Sequence, residues 1–404
     1  MLNNEQIEKY ADVMIWGMET ERRCRSGRFK KGNIVQIRFD IAAIKLAEAI
    51  HRKLTERGIN VFAKCLSSET MEYDFYNLAD TKQLKFVGPW EETYFNSLNG
   101  SIFLSAPASL THLKDIDPKR MATMSVARKH LRDIMNDREA QGLFGWTLCS
   151  FPTDELAKQS GLSLTKYSNQ IVKACYLNED DPVAKWTDVY KNMDKLCNWL
   201  NKLTKGVKHF RVESKNTDMI ITPGESRAWK NGEGANIPSF ELFMSPDWRG
   251  TSGTYHADMP TFRGGNYIEG VTLKFEKGRA TSIRADKGEE YLVKTLKTDR
   301  GACQVGEFSL TDKRFSKIDE FMAEILYDEN YGGKYGNCHI AVGSSYTETY
   351  DGSADDLTKE VKKKLGFNDS AIHWDLINGE DKMVTAHFND GKTQVIYEKG
   401  EFLY

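Results

Sequence analysis

Residues 32–66 read as a strand, a helix and a second strand in direct succession, and that order restricts the fold more than any other stretch. GNIVQIRFD (32–40) is a short apolar run. IAAIKLAEAIHRKLTERG (41–58) carries apolar residues at helical spacing and stops at Gly58, and INVFAKCL (59–66) is apolar again. A crossover of that length joins parallel strands, and a parallel sheet needs helices over its faces. GSIFLSAPA (100–108) reads as a further strand, PKRMATMSVARKHLRDIMNDREAQG (118–142) as one long helix, and LFGWTLCSFP (143–152) as another strand. The N-terminal part is therefore expected to be an α/β domain with a parallel sheet.

The pattern changes in mid-chain. TDELAKQSGLSLTKYSNQIVKACYL (153–177) reads as two helices broken at Gly161, and Pro182 stands in the first turn of a long helix, where a missing N–H costs nothing. A domain boundary is expected here, giving 1–185 and 186–404. Beyond it, VKHFRVES and TDMIITPG are short strands, and GVTLKFEKGRATSIRAD is a hairpin with a Lys-Gly turn. GEEYLVKTLKTDRG and KIDEFMAEILYDE read as helices, CHIAVG and AIHWDLI as strands, and TQVIYEKGEFLY as a closing hairpin. This part is α+β, rich in antiparallel strands.

Charge and composition exclude several functions. Net charge is −2, without the basic excess that nucleic acid demands. No run reaches the roughly 18 apolar residues that span a bilayer. The first 23 residues, with acids inside an amphipathic helix, do not resemble a secretory signal, so a cytoplasmic protein is expected. The 7 cysteines include no CxxC pair, which argues against a disulfide framework or a thiolate zinc site.

The residues suited to chemistry lie in the second half. In AIHWDLI, His373 and Asp375 sit two apart on a strand and project to one face, with Trp374 opposite. An imidazole beside a carboxylate suits a divalent metal, although alone the pair reads more readily as a hydrogen bond within a core. His339 opens the HIAVG strand after the glycine-rich YGGKYGNC. Glu241 (NIPSFELF), Glu307 (CQVGEFSL) and Glu329 (ILYDEN) stand among apolar neighbours. A carboxylate there is protonated, paired, metal-bound or on an exposed edge. Tyr346, in GSSYTETY, offers a phenol that could donate to an oxyanion, or could be a packed or surface tyrosine.

With those motifs in view, the chain resembles the thermophilic metallo-aminopeptidase family. ANIPSFELF, VGEFSL, ILYDEN, CHIAVG and AIHWDLI look like the family's ligand-bearing motifs and keep its order. KKGNIVQIRFDIAAIKLAEAIHRKLTERGINV and residues 151–186 resemble its earlier segments. The resemblance implies six metal ligands: Glu241, Glu307, Glu329, His339, His373 and Asp375. It implies Tyr346 as the catalytic tyrosine, with Glu241 also in the catalytic set. It further implies two divalent ions (zinc, cobalt, magnesium or manganese), peptide substrates cleaved at the N-terminus with broad specificity, and a homodimer. Neither a nucleic-acid nor a membrane partner is expected. One departure is NYGGKYGNC, which separates Glu329 from His339 by more residues than the family pattern. The alternative it raises is a non-catalytic peptide- or partner-binding relative with an altered metal centre.

Overall fold

A computed structural model describes residues 1–353 and 356–404. The chain divides into two compact units. The first is Met1–Trp186 with Glu233–Pro238 and Gly264–Asn266, and the second is Thr187–Gly232, Ser239–Arg263 and Tyr267–Tyr404.

The first unit is built on a parallel sheet in the order Asn60–Cys65, Ile34–Phe39, Gly100–Ser105, Gly145–Ser150, Asn236–Ile237. The last of these strands comes from the second half of the sequence and closes the sheet beside Gly145–Ser150. Alternation sends Val35, Ile37, Ile102, Leu104, Thr147 and Cys149 to one face, where all are buried. The Asn4–Cys24 helix covers that face. It starts in a capping box between Asn3 and Gln6 and buries Tyr10, Val13, Met14 and Met18. The helix approaches so closely that Gly17 and Gly234 touch. A Cβ on Gly17 would lie 2.8 Å from the Gly234 oxygen, and one on Gly234 (φ +93°) 2.4 Å from the Gly17 oxygen.

The second unit holds two antiparallel sheets. One has eight strands, ordered Arg279–Arg284, Val271–Glu276, Ser252–Ala257, Asp218–Ile221, Val207–Ser214, Lys382–Phe388, Thr393–Glu398, Glu401–Phe402. The other has five, ordered His373–Asn378, Asn337–Gly343, Val305–Thr311, Glu241–Met244, Lys230–Asn231. Buried tyrosines tie the two together. The Tyr255 hydroxyl reaches the Leu376 and Cys338 carbonyls at 2.7 and 3.1 Å, and the Tyr397 hydroxyl donates to the Thr311 carbonyl at 2.7 Å. The Lys-Gly hairpin turn has left-handed backbone at both central residues, Lys277 (φ +49°) and Gly278 (φ +78°), the twist that two-residue hairpins require.

An α/β N-terminal domain with a parallel sheet is thus joined to an α+β domain of antiparallel strands. Two local expectations fail. The helix expected over 118–142 is two, Pro118–Ala127 and Lys129–Ala140, separated at Arg128, whose guanidinium pairs with Glu91. KIDEFMAEILYDE is helical only over Ile325–Asp328. Ahead of that turn the Asp328 carboxylate accepts the Met322 and Glu324 N–H groups at 2.7 and 3.1 Å, and Ala323 takes φ +52°. Capping by Asp328 thus replaces the intrahelical ladder. Among the described residues no helix is long and apolar enough to cross a membrane. All 7 cysteines are free thiols.

Replacing Gly234 by Ala forces a methyl against the backbone of the first helix and strains a left-handed residue. It is expected to cost about 1–3 kcal/mol in denaturant unfolding. Unchanged stability would show that this helix–strand approach has slack.

Candidate metal centre

The five-stranded sheet sorts its side chains by period two. Register places Glu241 opposite Thr311, Ser309 opposite His339, Glu307 opposite Ala341, Ala341 opposite Asp375, and Gly343 opposite His373. Glu241, Glu307, Ser309, His339, His373 and Asp375 therefore share one face. The other face carries Leu242, Phe308, Leu310, Ile340, Trp374 and Leu376, all buried. That apolar layer packs towards the eight-stranded sheet, where the Phe308 and Phe210 rings lie 6.3 Å apart. Hydrophobic burial of one face thus delivers the polar set to the other.

The donors converge. His339 Nε2 lies 3.3 Å from Glu241 and 3.5 Å from Glu307, and His373 Nε2 lies 3.1 Å from Glu307 and 3.3 Å from Asp375. Two groups of ligand atoms result, Glu241–Glu307–His339 and Glu307–His373–Asp375, each within 4.8 Å. Glu307 belongs to both. Its two oxygens face different imidazoles, Oε1 towards His339 and Oε2 towards His373.

Charge in this cluster is costly. At about 4 Å, two like charges repel by about 4 kcal/mol at an effective dielectric of about 20. Burial and then the Glu307 charge push Glu241 up to about 8. Burial also pushes Glu329 well above the usual range, with Glu241, Asp375 and Glu307 adding to it. For Glu307, desolvation is outweighed by the hydrogen bonds of His339 and His373, which hold it below its ordinary value. Desolvation of Asp375 is likewise overcome by His373, leaving it at about 2. The imidazoles respond in turn. His339 is raised to about 9 and His373 well above 6.5, because the carboxylates outweigh desolvation. Four buried groups and two half-buried ones, His373 and Asp375, thus share a few protons where cations would balance them.

Surrounding groups fix the donors. The Ser309 hydroxyl donates to Glu241 at 3.1 Å. A carbonyl can only accept, so the Ser344 oxygen 2.8 Å from His373 Nδ1 keeps the proton there and turns the Nε2 lone pair to the cluster. Arg263 donates to the His373 carbonyl at 2.8 Å and lies over the Trp374 ring at 5.0 Å. His339 Nδ1 is buried and meets no hydrogen-bond partner among the described residues. Ser309 was findable in the sequence, two residues beyond Glu307 on one strand face. Arg263 and Ser344 left no such signal.

Glu329 and Tyr346 flank the groups. Glu329 caps the Ile325–Asp328 turn and lies in neither donor group, although its carboxyl feels three of the cluster's charges. The loop between Glu329 and His339 closes on itself. Asn337 donates to the Glu329 and Tyr331 carbonyls at 2.9 and 2.8 Å, and Thr311 donates to the Glu329 carbonyl at 3.3 Å. His339 stands in a donor group with this loop in place, whereas Glu329, at the loop's other end, does not. The Tyr346 ring sits 4.6 Å from His373 and 5.7 Å from Phe243, and is 42% exposed. Desolvation and the charges of Glu307 and Asp375 raise its phenol well above the normal value. Cys338 faces away from His339, with its carbonyl on the Tyr255 hydroxyl, and burial pushes its thiol to about 12, so it is no nucleophile.

Oxygen and imidazole donors without thiolate, buried on one sheet face, are those of a metalloenzyme. The chain belongs to the thermophilic metalloprotease (M29) family, whose sequence pattern matches residues 3–402. It is 30% identical over 329 residues to aminopeptidase 2 of Geobacillus stearothermophilus, covering 76% of each chain. It is 29% identical over 354 residues to aminopeptidase AmpS of Bacillus subtilis, covering 81% of this chain and 83% of that one. The solved structure of wild-type AmpT from Thermus thermophilus shares the fold, with a TM-score of 0.82 over 99% of both chains at 23% identity.

Cation binding here should stabilise the protein. After chelator treatment, zinc at about 100 times its dissociation constant is expected to add about 2.7 kcal/mol in denaturant unfolding. Asp375→Ala should shrink that increment. A stripped protein indifferent to zinc, cobalt, manganese and magnesium would contradict the reading.

Proposed function

We propose that this chain is a two-metal aminopeptidase. The observation that carries the reading is the sharing of Glu307 between two donor groups. Glu241 and His339 would hold one divalent ion, His373 and Asp375 the other, with Glu307 between them and Glu329 completing the set. The donors fit zinc, cobalt, manganese or magnesium. Bound ions supply Lewis acidity to a peptide carbonyl and acidify water for attack.

The protein's own groups do the remaining work. Ser309 holds Glu241 in place, and a carboxylate or a bound ion would meet the substrate's free amine, which confines cleavage to the first residue. Tyr346 keeps its proton because its surroundings disfavour the phenolate. It is therefore a hydrogen-bond donor for the oxyanion that develops on the scissile carbonyl. The Ser344 carbonyl and Arg263 hold His373 in one tautomer and one position. The reading includes broad acceptance of the first residue and a homodimer, as the family resemblance implies, together with a cytoplasmic setting. The relatives' names, aminopeptidase AmpS and aminopeptidase 2, support peptide substrates. A non-catalytic peptide-binding relative has less support, because the loop before His339 leaves the donor groups together.

Two substitutions separate the roles. Glu307→Gln is expected to lose metal and hydrolysis of leucyl-anilides together. Tyr346→Phe should retain metal and slow turnover by about 10²–10³-fold, the loss typical of one oxyanion donor. Full metal occupancy in Glu307→Gln would remove Glu307 from the bridge, and parent-rate turnover in Tyr346→Phe would end its assignment.

A further inference from the structure

The parallel sheet of the first unit has one well-filled face and one that is not. Against the Asn4–Cys24 helix the fit is tight: a Cβ on Gly100 would stand 2.7 Å from Met18 Sδ, and one on Gly145 2.8 Å from the Met18 oxygen. Alternation sends Arg38, Phe103 and Trp146 to the opposite face. There, between the sheet and the Lys129–Ala140 helix, lies a cavity of about 410 Å³. That is within the size range of small-molecule sites.

Its lining combines two chemistries. Phe95, Leu131, Met135, Phe144 and Trp146 form an apolar, largely aromatic wall. Arg38, Arg128 and Arg132 bring three guanidinium groups, and Glu139 one carboxylate. Two of these charges are already committed. Arg128 pairs with Glu91, and Glu139 pairs with Arg25 at 3.0 Å and accepts from Trp146 Nε1 at 3.1 Å. Arg38 and Arg132 make no hydrogen bond or ion pair among the described residues; the Arg38 guanidinium lies 5.1 Å from the Phe103 ring and near enough to Asp40 and Tyr94 to interact with them electrostatically. Both side chains are accessible. Arg38 is the fifth residue of the six-residue Ile34–Phe39 strand, on the sheet face that the cavity borders.

We propose that this cavity is a second ligand site, separate from the metal centre, that takes a small organic carboxylate with an aromatic or similarly bulky apolar body. The planar forks of Arg38 and Arg132 match a carboxylate's two oxygens, and the wall matches its apolar part. A cation is repelled. A bare inorganic anion leaves the apolar wall unfilled.

Titration calorimetry on the full-length protein tests this with three probes, each measured with and without chelator. 3-Phenylpropanoate is expected to bind with a dissociation constant at or below about 1 mM. 3-Phenylpropanamide should bind at least about tenfold more weakly, and inorganic phosphate should give no comparable binding. Arg38→Gln should weaken the acid by about tenfold while circular dichroism shows an unchanged melt. Ser125→Phe, which fills the cavity from the Pro118–Ala127 helix, should abolish binding and so decides the matter if Arg38→Gln fails to fold. Equal affinity for acid and amide, equal affinity for phosphate, or undiminished binding in either folded variant would overturn the proposal. So would binding that disappears with chelator, which would belong to the metal centre.

Discussion

Like charges crowded on one buried face are the constraint around which the second unit is arranged. Glu241, Glu307 and Asp375 lie within ligand distance of two imidazoles, and Glu329 is close enough to feel them. Such a set is unstable as free anions in a poorly solvated site. Without cations it survives by raising Glu241, Glu329 and both histidines, so protons stand where positive charge is needed. Cation binding then displaces protons, and affinity for metal and the protonation of the cluster become one linked equilibrium.

Hydrophobic packing on the reverse face sustains this arrangement. Leu242, Phe308, Ile340, Trp374 and Leu376 are buried there, and Tyr255 and Tyr397 tie the strands to the neighbouring sheet by hydrogen bonds to backbone carbonyls. A one-residue slip of any of these strands would exchange the two faces, placing carboxylates in the apolar layer. Register is thus set by the core, and the metal centre inherits its geometry from it. Ser309, Ser344 and Arg263 then narrow the remaining freedom of Glu241 and His373.

How much of this could be read beforehand depended on period and length. The strand–helix–strand order near the N-terminus was legible because its apolar spacing switches between two and helical repeats within 35 residues. The shared face of His373 and Asp375 followed from strand alternation alone. Convergence of the four separate strands did not, since pairing order is a long-range property, and it entered only through family resemblance. Asn236–Ile237 was invisible as a member of the parallel sheet: two residues carry no period. KIDEFMAE looked helical by spacing, yet the Asp328 carboxylate captured its backbone donors. Residues 118–142 kept helical spacing throughout, so the turn at Arg128 left no mark in the pattern.

Anomalous diffraction from crystals grown with zinc bears most directly on the central claim. The account predicts two anomalous peaks about 3.5–4 Å apart, one beside Glu241 and His339 and one beside His373 and Asp375, with Glu307 reaching both. A single peak, or two peaks that do not share Glu307, would contradict it.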